Sequence, residues 1–187
     1  KSNFYPWALS TLNIGLNRTE LGFRTDISSA ITLNGNHADL VLDVSFDRYN
    51  NLIFGEGSLT GLNGSVVSEL FPANNLPFYL STAMHIDGTF NIDPTTPHFR
   101  FNGTLSATDG QLTVPNINDA PISFDSLMIH TVVDTELGSI KLEAFDIQEG
   151  NTALKGAVAI ENIFGEPQVN LDAKLTDISV KRLTNSW

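Results

Sequence analysis

The sequence predicts an all-β fold built from antiparallel strands, and two observations predict it. The first is alternation. Residues 38–46 (ADLVLDVSF), 99–107 (FRFNGTLSA) and 167–175 (PQVNLDAKL) alternate apolar and polar residues. A period of two is typical of a strand with one buried face and one face in water. The second is the short turns between consecutive patterns, such as RYNN at 48–51 and EGN at 149–151, which predict hairpins between neighbouring strands.

Glycine recurs on the apolar side of these strands. Gly103 lies there within 99–107, and Gly88 and Gly156 hold the same place in MHIDGTFNI and TALKGAVAI. Glycine weakens a strand interior, so its presence needs a reason. One interpretation is that the glycines mark bulges or close packing in a closed sandwich core. The other is that a tightly curled sheet leaves no room for large side chains and forms an apolar trough. The pattern by itself favours the closed core.

The strand patterns follow one another along the chain at 38–46, 52–61, 84–92, 99–107, 121–133, 137–147, 152–160 and 167–175. Short helices are predicted at 66–71, ended by Pro72, and at 179–187, capped by Thr176, Asp177 or Ser179. No composition shift marks a domain boundary. Residues 1–187 are therefore expected to be a single elongated β-region, a fragment of a longer protein, with a candidate joint at 71–77 (FPANNLP).

Composition and charge exclude several classes of function. The 187 residues are 41% hydrophobic and 17% charged, and no apolar run approaches the roughly 20 residues that a membrane-spanning helix needs. The net charge of −11 argues against a nucleic-acid partner and against binding to anionic bilayers through a basic patch. Without cysteine there is no disulfide framework, thiol nucleophile or thiolate metal site.

The sequence carries no recognisable catalytic motif. It lacks the G-x-S-x-G motif of a serine nucleophile and the phosphate-binding P-loop. The glycines of GEGSLTG at 55–61 are not followed by a helix pattern, so they do not form a dinucleotide-binding motif. His85 and Asp87 would share the polar face of one strand, where a solvated surface is favoured over a metal site. Carboxylates are so abundant that a close pair by chance is expected, so no glycosidase dyad is inferred. We expect no enzymatic activity, no catalytic residue, no metal and no cofactor.

The second half of the chain, from about Asn75 to Trp187, resembles the C-terminal repeat region of the AsmA-like envelope proteins (the AsmA/TamB/YhdP type). Three features carry the resemblance. In FNGTLSATDGQLTVPNINDAPISFDSL a strand ends in a turn, and the next strand begins with the sequence pattern "aPisf". IQEGNTALKGAVAIENIFGEPQVNLDAKLTDISV is similar to the family's "G-x-l-x-G-x-a" hairpin followed by a long alternating strand. TDISVKRLTNSW is similar to its closing short helix that ends on an aromatic residue.

The resemblance implies an elongated, strongly curved, groove-like antiparallel sheet with an apolar concave face. It implies a non-catalytic segment of a cell-envelope protein in the periplasm of Gram-negative bacteria, serving lipid transport and outer membrane biogenesis. Such a segment would bind or conduct phospholipid acyl chains between the inner and outer membranes. The implied partners are phospholipid or another acyl-chain lipid and adjacent segments of a full-length protein anchored to the inner membrane. The residues expected to line the hydrophobic groove are Met84, Ile86, Gly88, Phe90, Phe99, Phe101, Gly103, Leu105, Leu154, Gly156, Val158, Val169 and Leu171.

The alternative function is a structural or adhesin-like β-domain whose apolar faces close on each other. Hydrolysis of envelope polysaccharide is a third and marginal one. The first two interpretations differ at Gly103. In an open groove a leucine at this position is expected to narrow the path of an acyl chain while stability hardly falls, whereas in a closed core it is expected to destabilise the fold.

Overall fold

The computed structural model describes residues 7–33, 35–65, 79–96, 98–114, 118–166 and 168–177. Its strands are β1 (Trp7–Arg18), β2 (Gly22–Leu33), β3 (Asn36–Asp47), β4 (Leu52–Asn63), β5 (Tyr79–Leu80), β6 (Ala83–Asp93), β7 (His98–Val114), β8 (Asn118–Asp134), β9 (Ser139–Glu149), β10 (Thr152–Glu161) and β11 (Gln168–Thr176). The all-β prediction is confirmed. The helices expected at 66–71 and 179–187 and the joint expected at 71–77 lie outside the described residues.

All eleven strands belong to one antiparallel sheet with the order β1-β2-β3-β4-β6-β7-β8-β9-β10-β11, and β5 pairs with β7 off this path. Every neighbouring pair in this order except β4 and β6 joins strands that follow one another in the chain, so the meander predicted from the short turns is confirmed. Within the described ranges β1 pairs with β2 alone and β11 with β10 alone. The sheet is therefore open and has two edges.

The alternating sequence gives the sheet one apolar and one polar face, because residues directly opposite each other on neighbouring strands point to the same side. Two rows of directly paired residues cross the apolar face from edge to edge. The aromatic row is Leu16, Thr25, Val44, Gly55, Phe90, Phe101, Val133, Ile140, Ile160 and Val169. The glycine row is Ile14, Ile27, Leu42, Gly57, Gly88, Gly103, Thr131, Leu142, Val158 and Leu171.

The residues of the polar face also form rows of directly paired positions. One of its rows runs through Gly15, Asp26, Asp43, Glu56, Thr89, Asn102, Val132, Lys141, Ala159 and Asn170. Its carboxylates lie on β2, β3 and β4, and its lysine lies on β9. The charged residues of this row therefore occupy the face opposite the apolar rows, as the period of two requires.

The hydrophobic core occupies one part of the sheet. The buried cluster consists of Leu80, Met84, Ala107, Leu112, Phe124, Leu127 and Ile129, contributed by β5, β6, β7 and β8. Leu127 is the most deeply buried of them, at 1% exposed, and Phe124 is 2% exposed. The short strand β5 brings Leu80 opposite Leu112 of β7, so the core lies where β5 adds to the long strands β7 and β8.

In three hairpins the strand before the turn ends on an aspartate. The aspartates are Asp47, Asp93 and Asp134, which pair across the turn with Leu52, His98 and Ser139. Each carboxylate accepts hydrogen bonds from the backbone N–H groups two and three residues further on, at 2.8–3.4 Å. This is the Asx-turn geometry that makes aspartate a turn residue.

Hydrogen bonds within these turns lower the pKa of their carboxyl groups, because they stabilise the charged form. The backbone N–H of Leu137 is the largest cause at Asp134, and the guanidinium of Arg100, with its Nε 2.7 Å from the carboxylate, adds to the lowered pKa. At Asp93 the hydroxyl group of Thr95 is the largest cause, and the pKa lies well below its usual value. The turns are thus most stable when these carboxyl groups are ionised.

Candidate functional site

The residues expected to line a groove lie on the apolar face of the sheet, in two groups. In the first group, on β6 and β7, Phe90 faces Phe101 and Gly88 faces Gly103. Ile86 and Leu105 form the next pair. Met84 and Phe99 lie on the same face at either end of this strand pair, opposite Ala107 and Ile92.

The second group lies on β10 and β11, separated from the first by β8 and β9. Leu154 faces Leu175, Gly156 faces Ala173, and Val158 faces Leu171. Val169 extends the same face. The structure therefore places all the candidate lining residues on one surface, although the two groups are not in direct contact.

The candidate lining residues differ widely in how exposed they are. Met84 belongs to the core and is 5% exposed, and Gly103 is buried. Ile86, Phe90, Phe101 and Leu105 are half-buried. Val169 and Leu171 are 63% and 66% exposed. The central strands therefore offer little free apolar surface, while the edge strand β11 offers much.

The space above the central glycines is filled by aromatic rings. A Cβ atom at Gly88 would lie 2.8 Å from a ring carbon of Phe101 and 2.6 Å from the carbonyl oxygen of Asn102. At Gly103 it would collide with the carbonyl oxygen of Asp87 and again with the Phe101 ring. One ring thus covers two adjacent glycines.

The same arrangement recurs elsewhere on the apolar face. A Cβ atom at Gly156 would lie 2.7 Å from Cζ of Phe145, and one at Gly55 would lie 3.0 Å from Cζ of Phe90. The glycines therefore let rings on neighbouring strands lie flat across the sheet, a cross-strand arrangement known to stabilise strand glycines. A side chain at Gly103 would meet backbone and ring atoms, so at this position the packing is that of the closed-core interpretation, in which a leucine is expected to destabilise the fold.

Sequence analysis missed the first two strands, which carry further exposed apolar residues on this face. Ile14 and Leu16 in β1 are 62% and 66% exposed, and Leu12 is 51% exposed. Phe23 in β2 is 49% exposed. The alternation of Leu12, Ile14 and Leu16 with polar neighbours was a readable signal for β1.

A depression in the described residues lies mainly on the polar face. It has a volume of about 650 Å³ and is lined mostly by polar-face positions of β1 to β6, including Asp26, Asp43, Glu56 and Asp87. Arg24 forms ion pairs with Asp43 and, at 3.7 Å, with Asp26. The depression therefore carries several carboxylates that are partly neutralised by Arg24, and its apolar lining residues are Ile27, Val41 and Leu42.

Two histidines of the polar face, His85 and His130, lie directly across the sheet from threonines. Nδ1 of His85 lies 2.7 Å from Oγ1 of Thr60, and its Nε2 lies 3.5 Å from Oδ1 of Asp87. His130 is placed similarly, 3.5 Å from Thr104. No group of three or more histidine or carboxylate ligands suited to a metal ion is found in the described part of the chain.

On the polar face of β9 and β10, Nζ of Lys155 lies 2.6 Å from Oδ2 of Asp146. The hydrogen bond from Lys155 is the largest cause that lowers the pKa of Asp146. The pair is exposed on the lysine side, so it contributes little to stability. Its place on the polar face leaves the apolar face uncharged at this position.

Comparison with family models, with curated proteins and with solved structures found no match for this chain. Among the residues that the structure describes, none lies in a helix long and apolar enough to cross a membrane.

Proposed function

We propose that this chain is a non-catalytic segment that binds or conducts the acyl chains of phospholipids along the apolar face of its sheet. The observation that carries the proposal is the continuity of that face. Two rows of directly paired residues cross it from Leu16 to Val169 and from Ile14 to Leu171. At both ends of each row the side chains are at least 62% exposed.

The size of the face suits an acyl chain. Ten strands in the path give nine steps of about 4.8 Å, or a width of roughly 43 Å. The hydrocarbon core of a bilayer is about 30 Å thick and is filled by two opposed acyl chains, so one chain is about half as long. A single chain therefore fits across the face without leaving it.

The energy of removing a chain from water is large enough to matter. At about 0.8 kcal/mol per CH₂, burying a chain of about 16 carbons is worth roughly 13 kcal/mol. Only part of this is gained on an open face, because one side of the chain stays in water. A strong curvature of the sheet, which would turn the face into a groove, belongs to this proposal and would increase the buried part.

The rest of the molecule is compatible with such a role. The charged rows lie on the opposite face, and the net charge is −11. By the resemblance to AsmA-like proteins, we place the segment in the periplasm of a Gram-negative envelope. There it would act with adjacent segments of a longer protein anchored to the inner membrane.

One observation favours the alternative, a structural β-domain with a closed core. The central rings pack on glycines instead of leaving a trough, as Phe101 does on Gly88 and Gly103. This packing consumes apolar surface in the middle of the sheet. It does not cover the edge strands, where Ile14 and Leu171 remain exposed.

Lipid retention tests the proposal. The purified protein is extracted with organic solvent and the extract is analysed by mass spectrometry, and binding of a fluorescent fatty acid is measured in parallel. We expect co-purifying phospholipid and saturable fatty-acid binding. Reproducible absence of both would contradict the proposal and favour the closed-core alternative.

A matched set of variants locates the bound chain. Ile14→Asn and Leu171→Asn reduce the apolar face at positions that are 62% and 66% exposed. Val41→Asn is the control, because Val41 is 53% exposed but lies on the polar face opposite Ser28 and Ser58. We expect the double variant to weaken fatty-acid binding several-fold and the control to leave it unchanged. Equal effects would mean that the lipid does not bind the apolar face.

A further inference from the structure

We propose that one end of the sheet docks on the surface of a phospholipid bilayer, with apolar side chains of its turns entering the headgroup region. In an antiparallel meander, alternate turns lie at the same end of the sheet. The strands β1, β3, β6, β8 and β10 finish at one end, here called the Asx end because the turns of Asp47, Asp93 and Asp134 lie there. Docking at this end does not require that the apolar face binds a lipid.

Four turn residues at the Asx end expose large apolar side chains. They are Leu21, Tyr49, Leu137 and Phe164, which are between 54% and 75% exposed. At the opposite end, the residues described in the turns of the β2–β3 and β9–β10 hairpins are Gly35, Gly150 and Asn151. A single exposed apolar residue needs no explanation, but a group of them confined to one end of a molecule indicates an interaction surface.

The first two of these side chains are held by a contact between neighbouring turns. The backbone N–H of Arg48 donates a hydrogen bond to the carbonyl oxygen of Leu21 at 2.9 Å, which joins the turn of Leu21 to the turn of Tyr49. Phe23, two residues after Leu21 and 49% exposed, adds a third apolar side chain near this end. The three side chains therefore come from one small region of the surface.

The other two side chains are held in the same way. The backbone N–H of Ile163 donates a hydrogen bond to the carbonyl oxygen of Gly138 at 3.0 Å. A Cβ atom at Gly138 would lie 3.6 Å from Cδ2 of Phe164, so this ring lies beside the turn that carries Leu137. Because backbone hydrogen bonds already join the turns of both pairs, docking requires little ordering of loops.

Two arginines at the Asx end are available to lipid phosphates. Among the described residues, the ion pairs of arginine are formed by Arg24 and Arg100, which leaves Arg18 at the end of β1 and Arg48 in the next turn. The guanidinium of Arg48 lies 4.7 Å from the ring centroid of Tyr49. Guanidinium groups bind phosphate strongly, and tyrosine is enriched at the level of the lipid headgroups.

Acidic residues at the same end specify the kind of lipid surface. Glu20 and Glu166 lie in the turns that carry Leu21 and Phe164, and the net charge of the chain is −11. An anionic surface would repel such a protein. A zwitterionic surface of phosphatidylcholine or phosphatidylethanolamine offers phosphates to the arginines and cationic groups to the glutamates, and it carries no net charge.

The distance between the two pairs favours a bilayer over a small ligand. The turns of Tyr49 and Leu137 are four strand steps of about 4.8 Å apart, or roughly 19 Å. Between them, the turn after Asp93 presents Pro94, Thr95 and Thr96 instead of a large apolar side chain. A bilayer has the same chemistry across its whole surface, so separate groups of apolar side chains can enter it without matching pockets.

Flotation with phosphatidylcholine vesicles tests the docking. Two double variants, Leu21→Ser/Tyr49→Ser and Leu137→Ser/Phe164→Ser, each remove one pair of side chains. We expect the wild type to float with the vesicles, each double variant to bind several-fold more weakly, and the variant with all four changes to lose binding. Binding that requires anionic lipid, or that is unchanged in the four-residue variant, contradicts the proposal.

A matched control removes two apolar side chains elsewhere. Val41→Ser/Met128→Ser changes two residues that are each 53% exposed and lie on the polar face, within strands and away from the turns. We expect this variant to bind vesicles like the wild type. Circular dichroism confirms folding of every variant, and the four-residue variant is expected to keep any fatty-acid binding by the apolar face.

The absence of cysteine from the chain allows a single fluorescent label at either end of the sheet. Tyr49→Cys and Phe164→Cys place the label at the Asx end, and Asn151→Cys places it at the opposite end. We expect lipids with a nitroxide in the headgroup region to quench the first two labels and not the third. Equal quenching at both ends overturns the proposal. So does a wild type that ignores vesicles but self-associates through the four side chains, since these would then bind a second copy.

Discussion

The central strands and the edge strands carry the same alternating pattern on the same face, yet they bury it to very different extents. Leu127 on β8 is 1% exposed, whereas Leu171 on β11 is 66% exposed. The difference comes from what covers the face. In the centre, Leu80 of β5 and the rings of Phe101 and Phe124 pack onto the sheet. A period of two therefore identifies the apolar face of a strand but not whether anything covers it.

Replacing a leucine by alanine is expected to cost far more stability on a central strand than on an edge strand. Leu127→Ala leaves a cavity in the core and is expected to lower the free energy of unfolding by about 2–5 kcal/mol. Leu171→Ala, on the exposed edge strand, is expected to change it by less than about 0.5 kcal/mol. Denaturant unfolding of both variants measures the difference. Similar losses would show that the edge strand is covered in solution.

Alanine substitutions of a central and an edge glycine are expected to differ in stability. Gly103→Ala places a Cβ atom against the Asp87 carbonyl oxygen and the Phe101 ring, and overpacking of this kind costs about 1–3 kcal/mol. Gly15→Ala is the matched control on edge strand β1, where the nearest atom, in Asp26, is 3.5 Å from the new Cβ. We expect the control to be neutral or slightly stabilising. Equal melting temperatures for the two variants would refute the packing of Phe101 over Gly103.

The Asx turns give a smaller, pH-dependent effect. Hydrogen bonds lower the folded-state pKa of Asp47, Asp93 and Asp134, with the side chain of Asn50 as the largest cause at Asp47. A lowered folded pKa gives stability that is present above the unfolded pKa of about 3.9 and is lost as the pH falls through the folded values.

A variant with asparagine at all three positions tests this. Asparagine keeps an acceptor oxygen but does not titrate in this range. We therefore expect the melting temperature of the wild type to fall between about pH 4 and pH 2 more steeply than that of the variant. Parallel melting curves for the two proteins would mean that the turns do not contribute to acid sensitivity.

Sequence patterning was sufficient for the strands from β3 onward, apart from the two-residue β5. Runs such as 99–107 and 167–175 alternate strictly, and the turns at 48–51 and 149–151 lie where strands end. It was insufficient for β2, in which Ser29 interrupts the apolar positions. Ser29 is buried on the apolar face opposite Leu40, a position that local pattern alone assigns to a polar surface.

The candidate site was predictable in position but not in detail. The period of two placed Gly88 and Gly103 on the apolar face, and the structure sets them directly opposite each other. Nothing in the local sequence indicates that the ring of Phe101, two residues before Gly103, covers both glycines. Its contact with Gly88 on the next strand depends on the register of the two strands. For the same reason it became clear only with the strand order known that the apolar residues of β1 and β11 are exposed, as Ile14 and Leu171 are.

Photo-crosslinking with a diazirine-bearing fatty acid, followed by peptide mapping, shows which face of the sheet binds an acyl chain. Adjacent residues of an edge strand point to opposite faces, so each strand contains its own control. We expect crosslinks at Ile14, Leu16, Val169 and Leu171, and few at the alternating polar-face residues Asn13, Gly15 and Asn170. Crosslinks spread equally over both sets, or concentrated in the acidic depression around Asp26 and Glu56, would contradict binding of acyl chains to the apolar face.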